Sequence, residues 1–439
     1  MKKLFGFRGG IQPPQNKLTK NLAIENAPLP GKVVLPLSQH HGTPPVPVVT
    51  EGDTVLAGQV IAKAESADSL PVHASISGRV SRVTKWLHPA TGMPVDAIVI
   101  ESDGQDRHIT ADKAYFEYFR YSPKLIISAI KNAGIAGLGG AVFPTHMKLS
   151  PPPKIEIDTL VINGSECEPY LTCDDRLMRE HTKDIIEGVK VMMFALHAIR
   201  AIIAVEDNKP EAINKLRNIV FNEPNIDLAV VQTKYPQGCE KQLIKALLNT
   251  EVRAGMYPYQ YGIVMDNVAT AYAVGRAVKE GENLISRVVT VSGRGIRIPK
   301  NLNVRLGTLV SEIAEYCGGR GEGLDRVIMG GPMTGIELST SEVPVIKATN
   351  GIIFLDKSES PRQEYFDCIR CGRCVRVCPA NILPNLLSVT IERNDIQKAI
   401  AYNPLDCVEC GCCSYACPSG RPIMQQIKTV KRQLCKIRN

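Results

Sequence analysis

A chain of 439 residues, 44% hydrophobic and 22% charged, is too long for one ordinary core and too apolar for a disordered polypeptide; at ~100–200 residues per unit, three or four domains are expected. No apolar run approaches the ~20 residues that cross a bilayer, so any membrane contact is expected to be peripheral. The net charge of +8 invites a nucleic-acid reading, but only 5% of residues are aromatic and the basic tail lacks interleaved aromatic platforms for bases. Nucleic acid is therefore not an expected partner.

The opening Met1-Lys2-Lys3-Leu4-Phe5-Gly6-Phe7-Arg8 has no adequate apolar stretch behind its charges, so it does not read as a signal peptide. The 14 cysteines are then better read as metal ligands in a reducing compartment than as disulfides. Residues 1–30, rich in Pro and Gly, read as an extended arm. Over 31–112 the pattern is short β-type runs separated by turns, at 46–49, 59–62, 72–74 and 78–83, with Val55 between them. The stretches Glu51-Gly52-Asp53-Thr54-Val55, Gly58-Gln59-Val60-Ile61 and Ala74-Ser75-Ile76-Ser77-Gly78-Arg79-Val80 resemble the lipoyl/biotinyl barrel-sandwich hybrid domain. Carriers of that family hold a lysine at the hairpin tip. Here Ser66-Ala67-Asp68-Ser69-Leu70 has none, so a docking scaffold is expected rather than a carrier.

From 113 to 286 helical and strand patterns alternate, which implies a parallel sheet covered on both faces. Ser122-Pro123 caps and opens a helix that Gly134 closes. Buried strands are expected at 159–162, 201–205 and 228–231, and helices at 185–198, with Thr182 as its cap, and at 212–220. Ligands of such sheets bind beyond the carboxyl ends of the strands. Residues 287–345 read as a smaller α+β module, with strands at 288–291 and 327–329 and a helix at 309–316. A linker (346–363), a cysteine-rich segment (364–421) and a basic amphipathic tail (422–439) complete the chain. In the tail Ile423, Ile427, Val430, Leu434 and Ile437 share one helical face. That face either packs on its own protein or rests on a membrane partner or anionic lipid.

Cys368-x-x-Cys371-x-x-Cys374-x-x-x-Cys378-Pro379 is repeated as Cys407-x-x-Cys410-x-x-Cys413-x-x-x-Cys417-Pro418. Each is the bacterial ferredoxin run, in which three thiolates wrap one [4Fe–4S] cluster and the fourth reaches the other. The expected ligand sets are Cys368, Cys371, Cys374 and Cys417 for one cluster, and Cys407, Cys410, Cys413 and Cys378 for the second. Structural zinc takes four ligands per site, and neither the doubled run nor the trailing Cys-Pro suits it. Cys412 could substitute, but the regular spacing favours Cys413. Cys173, Cys317 and Cys435 read as small apolar fillers, as do Cys167 and Cys239 despite the motifs around them.

The run from Gly134 through Gly137-Leu138-Gly139-Gly140-Ala141-Val142-Phe143-Pro144-Thr145-His146-Met147-Lys148 is not a dinucleotide fingerprint, yet its glycines let backbone N–H groups approach a phosphate or flat ring. It resembles the flavin loop of the NADH-binding flavoprotein subunit of respiratory complex I. In the same order follow Asn163-Gly164-Ser165-Glu166-Cys167-Glu168-Pro169, Tyr235-Pro236-Gln237-Gly238-Cys239-Glu240 and Asp266-Asn267-Val268-Ala269-Thr270, each similar to a motif of that family. With the barrel-like region, the doubled cysteine run and Phe7-Arg8-Gly9-Gly10-Ile11, nearly the whole chain is similar to the RnfC family, the NADH/FMN- and iron–sulfur-binding component of the Rnf ferredoxin:NAD oxidoreductase. Departures from the complex I pattern include Leu138 for an arginine, Val142 and His146 for glycines, and Cys239 for an acid.

The resemblance implies a multidomain α/β protein. Its parts are a barrel-sandwich domain, a Rossmann-like parallel FMN/NADH domain, a β-grasp-like module and a 2[4Fe–4S] ferredoxin-like segment. It implies noncovalent FMN, since no covalent flavinylation motif occurs, NAD(H) as substrate, and partner subunits in a membrane-embedded complex, a ferredoxin-like iron–sulfur subunit among them. The implied place is peripheral, on the cytoplasmic face of the cell membrane. Gly137, Gly139 and Gly140 would let the backbone reach FMN and nucleotide, and Lys148 would face negative charge. Asn163 and Asn267 would hydrogen-bond the flavin. Glu166, Glu168 and Glu240 would line the nicotinamide side, Phe143 would pack on the nucleotide, and Tyr235, Gly238, Asp266 and Thr270 complete the set. Plainer roles compete: Phe143 as core filler, Glu168 as a helix-start carboxylate, Asn267 as a helix N-cap. No acid/base pair is expected. A cobalamin reductase of a propanediol-type microcompartment is the rival enzymatic reading, and a nucleic-acid-binding protein with structural clusters is the rival from another class.

Overall fold

The computed structural model describes residues 5–110, 114–360 and 364–438, with the side chains of 435–438 excepted. The alternating segments after residue 114 build a four-stranded sheet, all parallel, in the order Ile226–Val231, Arg200–Glu206, Thr159–Gly164, Ile263–Asn267. These strands are near-continuous apolar runs because helices cover both faces. The helices Thr182–Leu196 and Val268–Glu280 pack closely, and Gly188 and Gly275 allow it. A Cβ on Gly188 would fall on the Ala271 carbonyl, and one on Gly275 would lie 2.7 Å from the Asp184 carbonyl. Ser122 caps Pro123–Asn132 by accepting from the Leu125 amide, as the Ser-Pro pair predicts. Thr182 does not cap: it is the first helical residue, and its hydroxyl donates back to Met178 O at 2.6 Å. The strand Ile263–Asn267 is absent from the sequence-based expectation. Its role follows from pairing with Thr159–Gly164, about a hundred residues earlier, which local pattern does not reveal.

The barrel-sandwich region pairs one sheet, Lys32–Pro36, Pro94–Ser102, Gly78–Leu87 and Thr54–Val55, with a second of Val46–Pro47, Val60–Lys63 and Val72–His73. The lysine-free tip is docked on the parallel domain: Lys131 donates to Ser66 O at 3.1 Å and His146 Nε2 lies 2.8 Å from Ala67 O. Lys347 is buried at the same junction, its Nζ donating to Gly134 O at 2.6 Å.

The third sheet corrects two boundaries. It is mixed and six-stranded, in the order Ile24–Asn26, Lys300–Arg305, Ser286–Ser292, Gly351–Asp356, Leu324–Met329, Ile336–Glu337. The stretch 346–363, expected as a linker, supplies the buried inner strand Gly351–Asp356. The arm supplies the edge strand Ile24–Asn26, parallel to Lys300–Arg305. The module expected at 287–345 therefore closes only with strands from outside it, which bury its apolar inner strands on both sides.

The arm also threads between domains. Ile11 exchanges backbone hydrogen bonds with Tyr235, and the Gly10 amide donates to Val377 O at 2.8 Å. Gly9, at φ +80, lies so close to Cys378 that a Cβ would meet its carbonyl at 2.8 Å. The C-terminal helix Ile423–Arg438 turns Ile423, Ile427 and Val430 into the interior of the protein, the first two against the cysteine-rich segment. Its apolar face is thus covered by its own protein; Ile437 lies outside the described side chains.

Candidate functional site

The chain leaves Thr159–Gly164 to build one flank of the parallel sheet and returns to the other flank as Ile263–Asn267. The topological switch point therefore lies between these strands, at their carboxyl ends, where α/β folds place ligands. Asn163 and Asn267 are registered side by side there. Asn163 Oδ1 accepts from the Ser165 amide at 2.9 Å and its Nδ2 donates to Gly238 O at 2.9 Å. Asn267 is the N-cap of Val268–Glu280, accepting from Ala269 N at 2.8 Å, and its Nδ2 donates to Asp174 Oδ2 at 2.8 Å. Both amides hold the rim of the cleft in shape.

The glycine loop lies over this end of the sheet. The Leu138 amide donates to the buried Thr270 hydroxyl at 2.9 Å, and Gly137 N to Phe143 O at 2.9 Å. A Cβ on Gly139 would stand 3.2 Å from Asn267 Cβ, whereas Gly140, at φ +101, opens onto empty space. Phe143 is 37% exposed, so it is not core filler. Lys148 donates to Met265 O at 2.8 Å and pairs with Glu240 Oε1 at 3.6 Å. Beneath the loop Asp266 is buried, with Oδ1 accepting from the Asn267 amide and Oδ2 without a partner. A backbone cradle that side chains would fill, a lysine and an orphaned buried carboxylate oxygen suit a flat, polar, phosphorylated group such as FMN.

The acidic loop that follows Gly164 turns inward. Glu166 accepts from the Asp174 amide at 2.8 Å and from Asp175 N at 3.4 Å, at the start of the helix Cys173–Glu180. Burial pushes its carboxyl up to about 7, against the lowering effect of Lys17 and Lys209. Lys17, from the arm, donates to the carbonyls of Glu166, Glu168 and Leu171 at 2.6–2.9 Å. Lys209 pairs with buried Glu206 at 2.9 Å. Glu168 accepts from the amides of Met333 and Thr334, each at 3.0 Å, and from the Thr334 hydroxyl. It fixes the turn of the six-stranded module rather than starting a helix. Cys173 donates to Glu166 Oε1 at 3.4 Å, more than a filler does.

The Tyr235 hydroxyl donates to Cys410 O at 2.8 Å, so its ring reaches the cysteine-rich segment. Gly238 packs so near Ser165 that a Cβ would lie 2.5 Å from its carbonyl. Sequence reasoning singles out neither Lys17 nor the Met333 turn. Both act on residues about 150 or more positions away, and no local signal marks them.

Cys368, Cys371, Cys374 and Cys417 line one cavity, and Cys378, Cys407, Cys410 and Cys413 line a second. Each run's fourth cysteine thus stands with the other run's three, which suits two cubane clusters. The backbone repeats too: Arg370 and Gly372 have φ +58 and +73, and the equivalent Glu409 and Gly411 have +56 and +76. Cys412 also borders the second cavity, its Sγ 3.9 Å from Tyr235 O. The two sites differ in depth. In the first set Cys374 is buried but Cys371 is exposed, whereas Cys378, Cys410 and Cys413 of the second are all buried, Cys410 beneath Tyr235 and Met333 and Cys378 against the arm. Lys431 donates to Cys407 O at 2.8 Å. A cavity of about 700 Å³ lies elsewhere, where Leu138, Tyr272, Arg276, Arg305 and His108 meet. None of the expected cofactor-binding residues lines it.

Family models match four successive stretches: the RnfC barrel sandwich hybrid domain at 5–105, the Nuo51 FMN-binding domain at 130–276, the SLBB domain at 288–337 and the 4Fe-4S dicluster domain at 367–421. The RnfC counterpart in the ion-translocating oxidoreductase complex of Rhodobacter capsulatus is 44% identical over 98% of this chain and 83% of its own length. The corresponding component of the proton-translocating ferredoxin:NAD(+) oxidoreductase complex of Clostridium ljungdahlii is 43% identical over 98% and 94%. That of the Na(+)-translocating complex of Acetobacterium woodii is 40% identical over 98% and 97%. Among solved structures, an NAD+-reducing [NiFe]-hydrogenase in the H2-reduced state shares the fold at TM-score 0.50 and 18% identity, over 73% of this chain and 64% of the other. With relatives above 40% identity across nearly its whole length, the chain belongs to the RnfC family of ion-translocating ferredoxin:NAD(+) oxidoreductase complexes.

Proposed function

We propose that this chain passes electrons between NAD(H), a noncovalent FMN and two [4Fe–4S] clusters, as one subunit of a ferredoxin:NAD(+) oxidoreductase that couples electron transfer to ion translocation. The observation that carries the reading is the junction of the two site types. The domain with the glycine loop touches the loop of the buried cysteine set through Tyr235, so a flavin site and a cluster site belong to one packed unit. FMN, when bound, supplies the exchange between two-electron chemistry with a nicotinamide and one-electron chemistry with a cluster.

The chain's own residues bind and orient. Gly139 and Gly140 present backbone N–H groups, Gly137 closes the loop through its bond to Phe143 O, and Lys148, braced by Glu240 and Met265 O, supplies positive charge. Phe143 offers an exposed ring beside the loop for the nucleotide. Asn163, Asn267 and Thr270 set the cleft's rim and floor, and Glu166 and Glu168 keep the adjoining loop rigid. No side chain needs to move a proton. The proposed place is peripheral, at the cytoplasmic face; among the described residues no helix is long and apolar enough to cross a membrane. Its partners are the complex's other subunits, a ferredoxin-like iron–sulfur protein included.

The test is NADH-dependent reduction of ferricyanide by anaerobically purified, flavin-loaded protein, followed by removal of the flavin. Activity is expected to vanish with FMN and to return on adding it back; activity that survives flavin loss defeats the reading.

A further inference from the structure

We infer that the face around the exposed cysteine set is a docking surface for an acidic, electron-carrying protein. This rests on the electron-transfer reading and names where the electrons cross to a partner. Three observations meet at this face. The buried cysteine set is sealed by Tyr235, Met333 and the arm, whereas Cys371 of the outer set is exposed. Ile369 lines the same cavity as Cys371, and Phe366 bonds through its amide to Ser419 of that lining; with the preceding Tyr365 these large apolar side chains stand in solvent, Tyr365 56% exposed, Phe366 65% and Ile369 67%. A cluster of aromatic and apolar residues with arginines is the composition of a protein interface, not of an idle surface.

The charge gives the partner's sign. Residues 364–434 hold nine lysines and arginines against six acids. Arg421, Lys428 and Lys431 are consumed in pairs with Glu392 and Glu409. Arg370, Arg373 and Arg376 are exposed and make no ion pair among the described residues. Arg373 and Arg376 are three apart on the helix Arg373–Val377, so they project from one side of it. Glu364 and Asp367, both exposed in the same stretch, offset two of these three charges. The excess remains positive, and an anionic partner face complements it, speeding encounter and fixing orientation.

The experiment titrates the holoprotein with a small acidic 2[4Fe–4S] ferredoxin at low ionic strength and reads the Kd. Wild-type binding should weaken steeply as salt rises. The variant R370E/R373E/R376E should bind roughly tenfold more weakly or worse, and should gain affinity for a cationic c-type cytochrome. The milder R370Q/R373Q/R376Q set serves if the reversals lower the iron content. An unchanged Kd in a variant with full iron, or binding by the patch of phosphatidylglycerol vesicles but not of the ferredoxin, overturns the proposal. Because the readout is a Kd, it stands apart from the electron-transfer reading, which the flavin-removal assay tests.

Discussion

The Tyr235 hydroxyl donates a 2.8 Å hydrogen bond to the carbonyl oxygen of Cys410, so a motif of the parallel domain ends on a ligand loop of the cysteine-rich segment. Tyr235→Phe leaves that carbonyl without its donor, at a cost of about 1–3 kcal/mol. The expected result is full iron content, a small loss of thermal stability, and slower reduction of the buried cluster by NADH in stopped-flow measurements.

Crossed ligation gives a sharp outcome for single cysteines. Cys417→Ala removes a ligand from the set of Cys368, Cys371 and Cys374 although it belongs to the other run, so it should abolish the exposed cluster's EPR signal and spare the buried one. Cys378→Ala should do the reverse. Cys412→Ala should leave the iron count unchanged.

Gly139 and Gly140 should respond differently to a methyl group. At Gly139 an alanine Cβ meets Asn267 at 3.2 Å and narrows the cradle, so flavin affinity should fall roughly tenfold, about 1.4 kcal/mol. At Gly140 space is open but φ is +101, so alanine should cost roughly 1–2 kcal/mol of stability instead. Flavin titration and thermal melts separate the two.

Lys17→Met deprives three carbonyls of a shared donor. The acidic loop should loosen, raising the KM for NADH several-fold while cluster content and dithionite reduction stay normal. A mutation outside both motif domains would then act on nucleotide binding alone.

Lys347 makes the pH dependence specific. Burial lowers its ammonium from 10.5 to about 7. The unfolded chain therefore holds this proton between about pH 7 and 10.5 while the folded chain does not, so its contribution to stability rises with pH across that window. Lys347→Met should remove this rise, seen as a wild-type-minus-variant difference in urea midpoint that changes over that range and is flat below it.

The cysteine runs are readable because ligation imposes fixed local spacing, and the cavities gather the sulfurs in the sets that spacing suggests. The parallel sheet is readable from apolar runs alternating with helical periodicity. Gly351–Asp356 is not: it pairs with strands at 286–292 and 324–329, and its short apolar run resembles a connector. The glycine loop is visible as a motif, but the inward use of Glu166 and Glu168 is hidden, because their amide partners come from a neighbouring helix and from the Met333 turn. Fixed-spacing chemistry can be read from the sequence, whereas long-range packing has to be seen.

The N-terminal strap, tied on one side to Tyr235 and on the other to Val377, has a kinematic meaning. The cluster-bearing segment is held to the parallel domain at Val377 through the strap and at Cys410 through Tyr235, two ties that oppose its swinging as a tethered shuttle. With those ties intact the chain serves as a fixed relay, and travel to collect or deliver an electron falls to the molecule that visits it.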